Sequence, residues 1–498
     1  MPLTRRVPAR ALDPALAGLV ALVVYSLHGF HGTLERDQGT FVYAGQEVAR
    51  GVPPYAGIFN SIGPLGDVVT GTGVRLGSLA GVDAVLAARL TYLVVSASAV
   101  AALSVLARET FRSRLAGLVT PAVFLTFASF LKLATAGPRE KTVMVLCLEV
   151  ALLLMVRRRW FWAGVLTALA TLTWQPVILS AAAAATVAVL TAGGPRLRAA
   201  AAYVAGGAVP TAVTALLFLV AGHLQIAWWG FVVVNVGYTT QPTIVGSWRL
   251  VTSDYRASLV LVVAGWVLVV ALGVAAARRA RRTGVAPVDR ALMVLGAGGL
   301  VAGVWSCAAI NGGPDLFVVL PYAALGAGGA IAIAAQSLPV ATARRVAAVV
   351  VVLAVAAAAA EAVDTRDSRL TLERRDATTM AGQLPARSSV WSINAPEVLV
   401  LLDRRNPTPW QLATTATAPF MDDHLEGGLE GYADRIARRR PALIAVGWHS
   451  EVDWLLPVLD RDYVRVGAGD HWAWYASTRL DPALRDRMRE LNHRTWGR

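Results

Sequence analysis

LERDQGTFVYAGQEVARG, residues 34–51, comes directly after the first apolar run of the chain and sets Glu35, Arg36 and Asp37 side by side. Past Asp37 the apolar positions Phe41, Ala44, Gly45 and Val48 recur at helical spacing, with Tyr43, Glu47 and Arg50 on the other side. Gly51, Pro53 and Pro54 end the pattern. A helix of about thirteen residues is too short for a bilayer, which needs about 20. The stretch therefore predicts a helix lying along a membrane interface. An aspartate immediately before a helix is also a favoured N-cap, worth about 1 kcal/mol, so Asp37 has a local reason to be here apart from any chemistry.

Composition gives the same class. Of 498 residues, 56% are hydrophobic and 16% charged, and up to about position 360 runs of Ala, Val and Leu alternate with short Arg clusters. That is a polytopic α-helical membrane protein. Cys147 and Cys307 both fall in apolar runs and read as core packing, not as a disulfide or a metal pair. Heptads, Cys/His metal spacings, phosphate-binding Gly-Lys loops and nucleophile elbows are all missing from the sequence.

A net charge of +14 invites a nucleic-acid reading, which its distribution removes. From Glu361 onward 19 Arg face 20 acidic residues, leaving 27 basic against 12 acidic residues in the apolar part. Eighteen of those 27 fall in clusters between apolar runs, around Arg5–Arg10, Arg108–Arg114, Arg157–Arg159, Arg196–Arg198, Arg278–Arg290 and Arg344–Arg345. This is the excess that cytoplasmic loops carry. The apolar segments lie near 14–30, 83–107, 115–133, 142–156, 160–191, 199–220, 258–277, 290–310, 315–335 and 345–363. Segment 160–191 has Arg at both flanks and a break at Trp174-Gln175-Pro176, so it counts twice.

Eleven spans result, with the N-terminus cytoplasmic and the C-terminal region outside the plasma membrane. Gly29-Phe30-His31-Gly32 is a poor signal-peptidase site, so the first segment is expected to be retained as a span. The domains are then 1–363, transmembrane, with a first outer loop at 31–82 holding interfacial helices, and 364–498. The latter, with balanced charge, Trp391, Trp410, Trp448, Trp454, Trp472 and Trp474 among its aromatic residues, β-like runs at 442–446 and 463–466 and a helical pattern at 429–440, reads as a small α/β domain.

Asp37-Gln38-Gly39, Phe41, Tyr43, Gly45, Glu47, Gly51, Pro54-Tyr55, Phe59-Asn60 and Pro64 resemble, in order and spacing, the first outer loop of the C-type (GT-C) integral membrane glycosyltransferase superfamily. The closest branch is that of the protein O-mannosyltransferase-like and aminoarabinose-transferase-like enzymes. Thr173-Trp174-Gln175-Pro176 is similar to a Thr-Lys-Gln-Pro element of that branch, and Asp315-Leu316-Phe317 through Leu320-Pro321 to the start of a late span. Val390 to Asn394 and Leu402 to Pro407 look like strand and turn elements of its small outer domain. The sequence departs from the pattern at Gln38, often acidic in the family, at Ile62 and Trp174, where the family has Lys, and at a late His-Tyr pair that is missing.

The resemblance implies transfer of a sugar from a polyprenyl-phosphate donor to a lipid, glycan or protein acceptor on the outer face, with inversion. Asp37 would be the general base, a role worth about 10²–10⁴ in rate. The departing phosphate needs cations. Only two lysines stand against 44 arginines, and Lys132 and Lys141 flank a single outer segment together with Arg139. These three read as donor-phosphate ligands, with anchoring to lipid headgroups as the alternative.

Glu140, Asp67 and Glu35 are secondary acidic candidates. Gln38 argues against a two-carboxylate metal site, so no cofactor is firmly implied and a divalent cation is left open. Arg249, Asp254, Arg256 and the nearby Trp228, Trp229 and Trp248 rank lower, as an interfacial belt or a sugar-stacking surface. His31 and His449 lack ligand-spaced partners. A transporter would call for a second broken helix to match Pro176, and a scaffold that has lost activity is compatible with the missing lysines.

Overall fold

The structure is a computed structural model that describes residues 9–239, 244–385, 388–447 and 452–497. Arg5, Arg6, Trp448 and His449 lie outside the described residues. The helices are α1 (Ala9–Ser26), α2 (Arg36–Ala49), α3 (Pro64–Leu79), α4 (Ala84–Phe111), α5 (Arg114–Leu125), α6 (Ala128–Ala136), α7 (Glu140–Val156), α8 (Trp160–Thr171), α9 (Val177–Leu190) and α10 (Arg196–Val220). Then come α11 (Leu224–Trp228), α12 (Val234–Gly237), α13 (Ile244–Tyr255), α14 (Ser258–Thr283), α15 (Pro287–Ala309), α16 (Leu320–Ala335) and α17 (Val340–Asp364).

Among the described residues, α4, α10, α14, α15 and α17 are long and apolar enough to cross a membrane, and α5 with α6, bent by 72° at their junction, makes a sixth if it is one span. Helices α1, α8, α9 and α16 are apolar but shorter. Helix α7 has 17 residues and carries Glu140, Lys141 and Glu149. Every one of the eleven expected segments thus falls on a helix or on the bent pair, with the break of 160–191 between α8 and α9. Small residues set how closely these helices approach, as is usual in lipid. A Cβ on Gly265 of α14 would lie 2.1 Å from the Ala323 carbonyl of α16, and one on Gly273 would lie 2.8 Å from the Gly296 Cα of α15.

The C-terminal region folds around a four-stranded sheet of order β1-β2-β4-β3, with β1 (Val390–Ile393), β2 (Leu443–Gly447), β3 (Tyr463–Ala468) and β4 (Trp472–Ser477). β1 and β2 are parallel, and β4 runs antiparallel to both β2 and β3. Around the sheet pack α18 (Leu370–Gly382), α19 (Pro396–Leu402), α20 (Thr417–His424), α21 (Gly428–Arg439), α22 (Leu456–Asp462) and α23 (Pro482–Trp496). This unit is fastened to the first interhelical loop: Asp367 accepts from the Thr33 amide at 2.8 Å and hydroxyl at 2.5 Å, and the Leu370 amide donates to the His31 carbonyl at 3.1 Å.

Three local readings are corrected. Helix α2 begins two residues earlier than expected, with Glu35 at the N-cap and Asp37 inside the first turn, so Asp37 does not cap it. The polar side of α2 does not face water, since every residue from Gln38 to Glu47 is buried. Gly45 seats on Thr70 and Gly71 of α3, while Gly39 seats on Glu397 of α19. Across the second contact Glu47 pairs with Arg405 at 2.5 Å, Arg50 with Asp403 at 2.5 Å, and the Tyr43 hydroxyl accepts from the Asn406 amide at 2.7 Å. Finally, Cys147 is buried but Cys307 lies on the exposed side of α15, so core packing describes only the first.

Candidate active site

Two chain segments with no sequence proximity meet at Asp37. The α2 helix presents it from its first turn, and the turn between α6 and α7 presents Arg139 at the N-cap of α7. Both are positioned by one side chain, Arg89 of α4, which is fully buried. Its guanidinium donates to the carbonyls of Phe30 (2.6 Å), Gly32 (2.9 Å), Thr33 (3.1 Å) and Gly137 (3.3 Å), so the strand of chain leading into α2 and the one leading into α7 hang on the same fork.

The charges then form a row running inward. Arg139 Nη1 is hydrogen-bonded to Asp37 Oδ2, and Arg139 Nε lies 3.4 Å from Glu140 Oε2. Lys141 Nζ lies 3.6 Å from Glu140 Oε1 and donates at 2.6 Å to Asp315 Oδ1. The same ammonium sits 5.1 Å from the centroid of the Trp174 ring. Asp315 is fixed in turn by the Asn311 amide at 2.6 Å. Asp37 is the accessible end of this row, with 52% of its side chain exposed, whereas Glu140 is nearly sealed at 3%. Burial among surrounding groups pushes the Asp37 carboxyl up, but Arg139 more than offsets this and holds it below the usual carboxylate range. For Arg139, burial works against the charge and Glu140 and Asp37 outweigh it, so the guanidinium stays protonated.

Asp67, in the first turn of α3, is wholly buried with no hydrogen-bond donor at either carboxylate oxygen. Burial, and after it the nearby Glu140, raise its pKa to about 8. Lys132 and Glu35 are 3.7 Å apart, both half-exposed, at the rim. All seven candidates from the sequence therefore gather at this end of the bundle. Arg89 and Glu397 escaped the sequence reading, and Asp315 entered it only as the start of a late span, not as a site residue. Glu397 is fully buried, lacks a donor at both carboxylate oxygens, and has its pKa raised by burial. The available signal for Arg89 was an arginine a few residues inside a span, away from every loop cluster.

The lower-ranked residues do other work. Arg256 pairs with Glu361 and Asp364 at 3.3 and 3.1 Å. Trp229 joins an aromatic cluster with Phe420 and His424, while Trp228 is exposed. A grouping of carboxylates and histidine with ligand atoms within 4.8 Å of one another occurs at Glu373, Asp470 and His471 of the C-terminal unit, where Arg369 already engages Asp470 at 2.8 Å.

No family model matches the sequence, nor does any curated protein sequence. Solved structures do match. The apo structure of ArnT, the aminoarabinose transferase of Cupriavidus metallidurans, superposes with a TM-score of 0.65 at 14% identity over 93% of this chain and 97% of ArnT. Its undecaprenyl-phosphate-bound form gives 0.62 at 15% identity, over 94% and 98%. The chain has the C-type glycosyltransferase fold. An oligosaccharyltransferase from Archaeoglobus fulgidus aligns more loosely, with a TM-score of 0.47 at 12% identity over 96% of this chain and 75% of its own.

Within this C-type glycosyltransferase fold the two elements that lack the family's lysines lie against each other. The Gln175 amide donates to the carbonyls of Ser61 (3.3 Å) and Phe231 (3.1 Å), and the Leu65 amide to the Leu172 carbonyl (3.1 Å). A Cβ on Gly63 would lie 2.2 Å from the Leu172 carbonyl oxygen. Trp174 occupies one lysine position and supports Lys141 with its ring, so a cation is present beside this place but comes from α7.

Proposed function

We propose that this chain is a membrane glycosyltransferase that moves a sugar from a polyprenyl-phosphate donor to a lipid, glycan or protein acceptor. The ten apolar helices and the bent pair serve as eleven crossings, with the Arg clusters and N-terminus cytoplasmic. Asp37 and the C-terminal unit then face outward from the plasma membrane. The observation that carries the reading is an accessible carboxylate held by a largely buried arginine at the head of an inward row of charges, on this fold.

In the resting arrangement Arg139 keeps Asp37 ionised and weakly basic. A donor phosphate arriving beside Arg139, Lys141 and Lys132 competes for the guanidinium, because charge-assisted bonds from Arg to phosphate are strong. Released from Arg139 and screened from water by the bound donor, the Asp37 carboxylate becomes more basic. It then takes the acceptor proton as the oxygen attacks the anomeric carbon, and the lipid phosphate leaves from the opposite side with inversion. Arg139 already neutralises Asp37 and its neighbour Gln38 is an amide, so no step is routed through a metal.

The test is sugar transfer by the full chain in membranes supplied with a panel of polyprenyl-phosphate sugars. Asp37→Asn is expected to lower the rate about 10²–10⁴-fold while the protein stays folded. Equal transfer by the Asn variant refutes the base. Absence of transfer by the wild type with every donor favours a scaffold instead.

A further inference from the structure

At the far end of α7 from the site, roughly 25 Å away for 17 helical residues, three connections converge on a cavity of about 320 Å³. The C-terminal end of α4 brings Glu109 and Arg112, the end of α7 brings Arg157 and Arg158, and the start of α15 brings Pro287 and Arg290. Four arginines thus share one recess with one acid. That acid is taken up, since Arg157 Nε lies 3.0 and 2.9 Å from the two Glu109 carboxylate oxygens. Arg290 Nε spends its bond on the Thr191 carbonyl at 2.7 Å and leaves the charge uncompensated.

Arg112 and Arg158 make no side-chain hydrogen bond or ion pair among the described residues, and both side chains are exposed. Both have left-handed backbone conformations, with φ of 52° and 59°, which residues bearing a Cβ rarely adopt. The α15 N-terminus has no side-chain cap and opens on the same recess through Pro287, adding its dipole to the positive field. Two and three residues past Arg159, Phe161 and Trp162 are 38% and 58% exposed, aromatic residues of the kind that mark the headgroup level of a bilayer.

We infer that this recess is a binding site for the phosphate of an anionic phospholipid headgroup, on the membrane face opposite to Asp37. The phosphodiester would lie between Arg112, Arg158 and Arg290, with its acyl chains following the apolar helix surfaces. A phospholipid fits better than a free anion because Arg158, which lines the recess, is followed within four residues by exposed aromatic residues of the kind found at headgroup depth.

The experiment uses the full chain purified in mild detergent, titrated with phosphatidylglycerol, phosphatidylcholine or inorganic phosphate. Retained lipid is counted by native mass spectrometry and stability is read by thermal melting. Arg112→Gln combined with Arg158→Gln removes two charges that hold no partner, so the fold is kept. Wild type is expected to retain phosphatidylglycerol roughly 10- to 30-fold more tightly than the double variant, from about 1 kcal/mol per arginine. Phosphatidylcholine is expected to be weak and equal in both. Undiminished phosphatidylglycerol binding by the variant, or equal retention of both lipids by the wild type, overturns the site. Inorganic phosphate raising the melting point of wild type as much as phosphatidylglycerol does overturns the lipid assignment.

Discussion

Arg89 gathers four main-chain carbonyls that no other group serves, from the approach to α2 and the approach to α7. Truncation leaves buried acceptors unpaired at roughly 1–3 kcal/mol each. Arg89→Ala is therefore expected to destabilise the protein by at least about 3 kcal/mol, seen as a lower melting temperature in detergent. Arg89→Lys keeps the charge but cannot span four carbonyls from one planar fork. It is expected to melt between Arg89→Ala and wild type while losing transfer activity, because Asp37 and Arg139 are then no longer held together. Asp67 gives a second residue-scale prediction. Its pKa is raised to about 8 in the fold, so the folded state holds a proton that the unfolded chain gives up, and stability declines as pH rises from about 4 towards 8. Asp67→Asn removes that dependence: it should match wild type near pH 4 and exceed it above pH 8 by at least about 1.4 kcal/mol, the equivalent of one pKa unit. Residue identities at this site were readable, since Asp37, Arg139 and Lys141 stand out by type and place. Their partners were not, because Lys141 and Asp315 are 174 positions apart and nothing local links them.

At the scale of the element, α2 was legible as a short helix but not as a buried one. Ion pairs across an interface have the same periodicity as a face turned to water, so Tyr43, Glu47 and Arg50 could not announce Asn406, Arg405 and Asp403. The glycines carry the missing information. A Cβ on Gly39 would stand 2.7 Å from the Glu397 Cβ and 2.8 Å from its backbone nitrogen, closer than atoms pack. Gly39→Ala must therefore shift the start of α2 away from α19, and Asp37 is two residues back in the same turn. A misplacement of about 1 Å at a reacting group can lower a rate about 10²-fold. The expected outcome is a transfer rate down by about that factor with the protein still expressed and folded. An unchanged rate would mean that α2 does not set the position of Asp37.

For the whole molecule, apolar runs were enough to place the apolar helices α4 to α10 and α14 to α17, though not the short α11 to α13, because lipid imposes its pattern on the sequence directly. Strands β2 and β3 followed from β-like runs and β1 from the resemblance at Val390 to Asn394, whereas β4, WAWYAS at Trp472–Ser477, did not, since its aromatics are committed on both faces of the sheet. The dependence of the two parts on each other was the least legible feature, and it yields the last prediction. The C-terminal unit holds the approach to Asp37 from behind: the Leu34 amide donates to Glu373 at 3.0 Å, Thr33 to Asp367, and Leu370 to the His31 carbonyl. It also covers α2, whose Tyr43 and Glu47 would otherwise be uncovered polar groups on a helix with an apolar far side. A chain ending at residue 366 keeps every apolar helix of the bundle but loses all of these contacts. It should insert in membranes and expose α2 to protease, and it should transfer no sugar even with Asp37, Arg139 and Lys141 intact. Undiminished transfer by the truncated chain would show that the bundle alone positions its carboxylate and that the C-terminal unit serves the acceptor or nothing at all. Loss of transfer together with a new cleavage site between residues 34 and 51 would show that the unit builds the site by clamping α2.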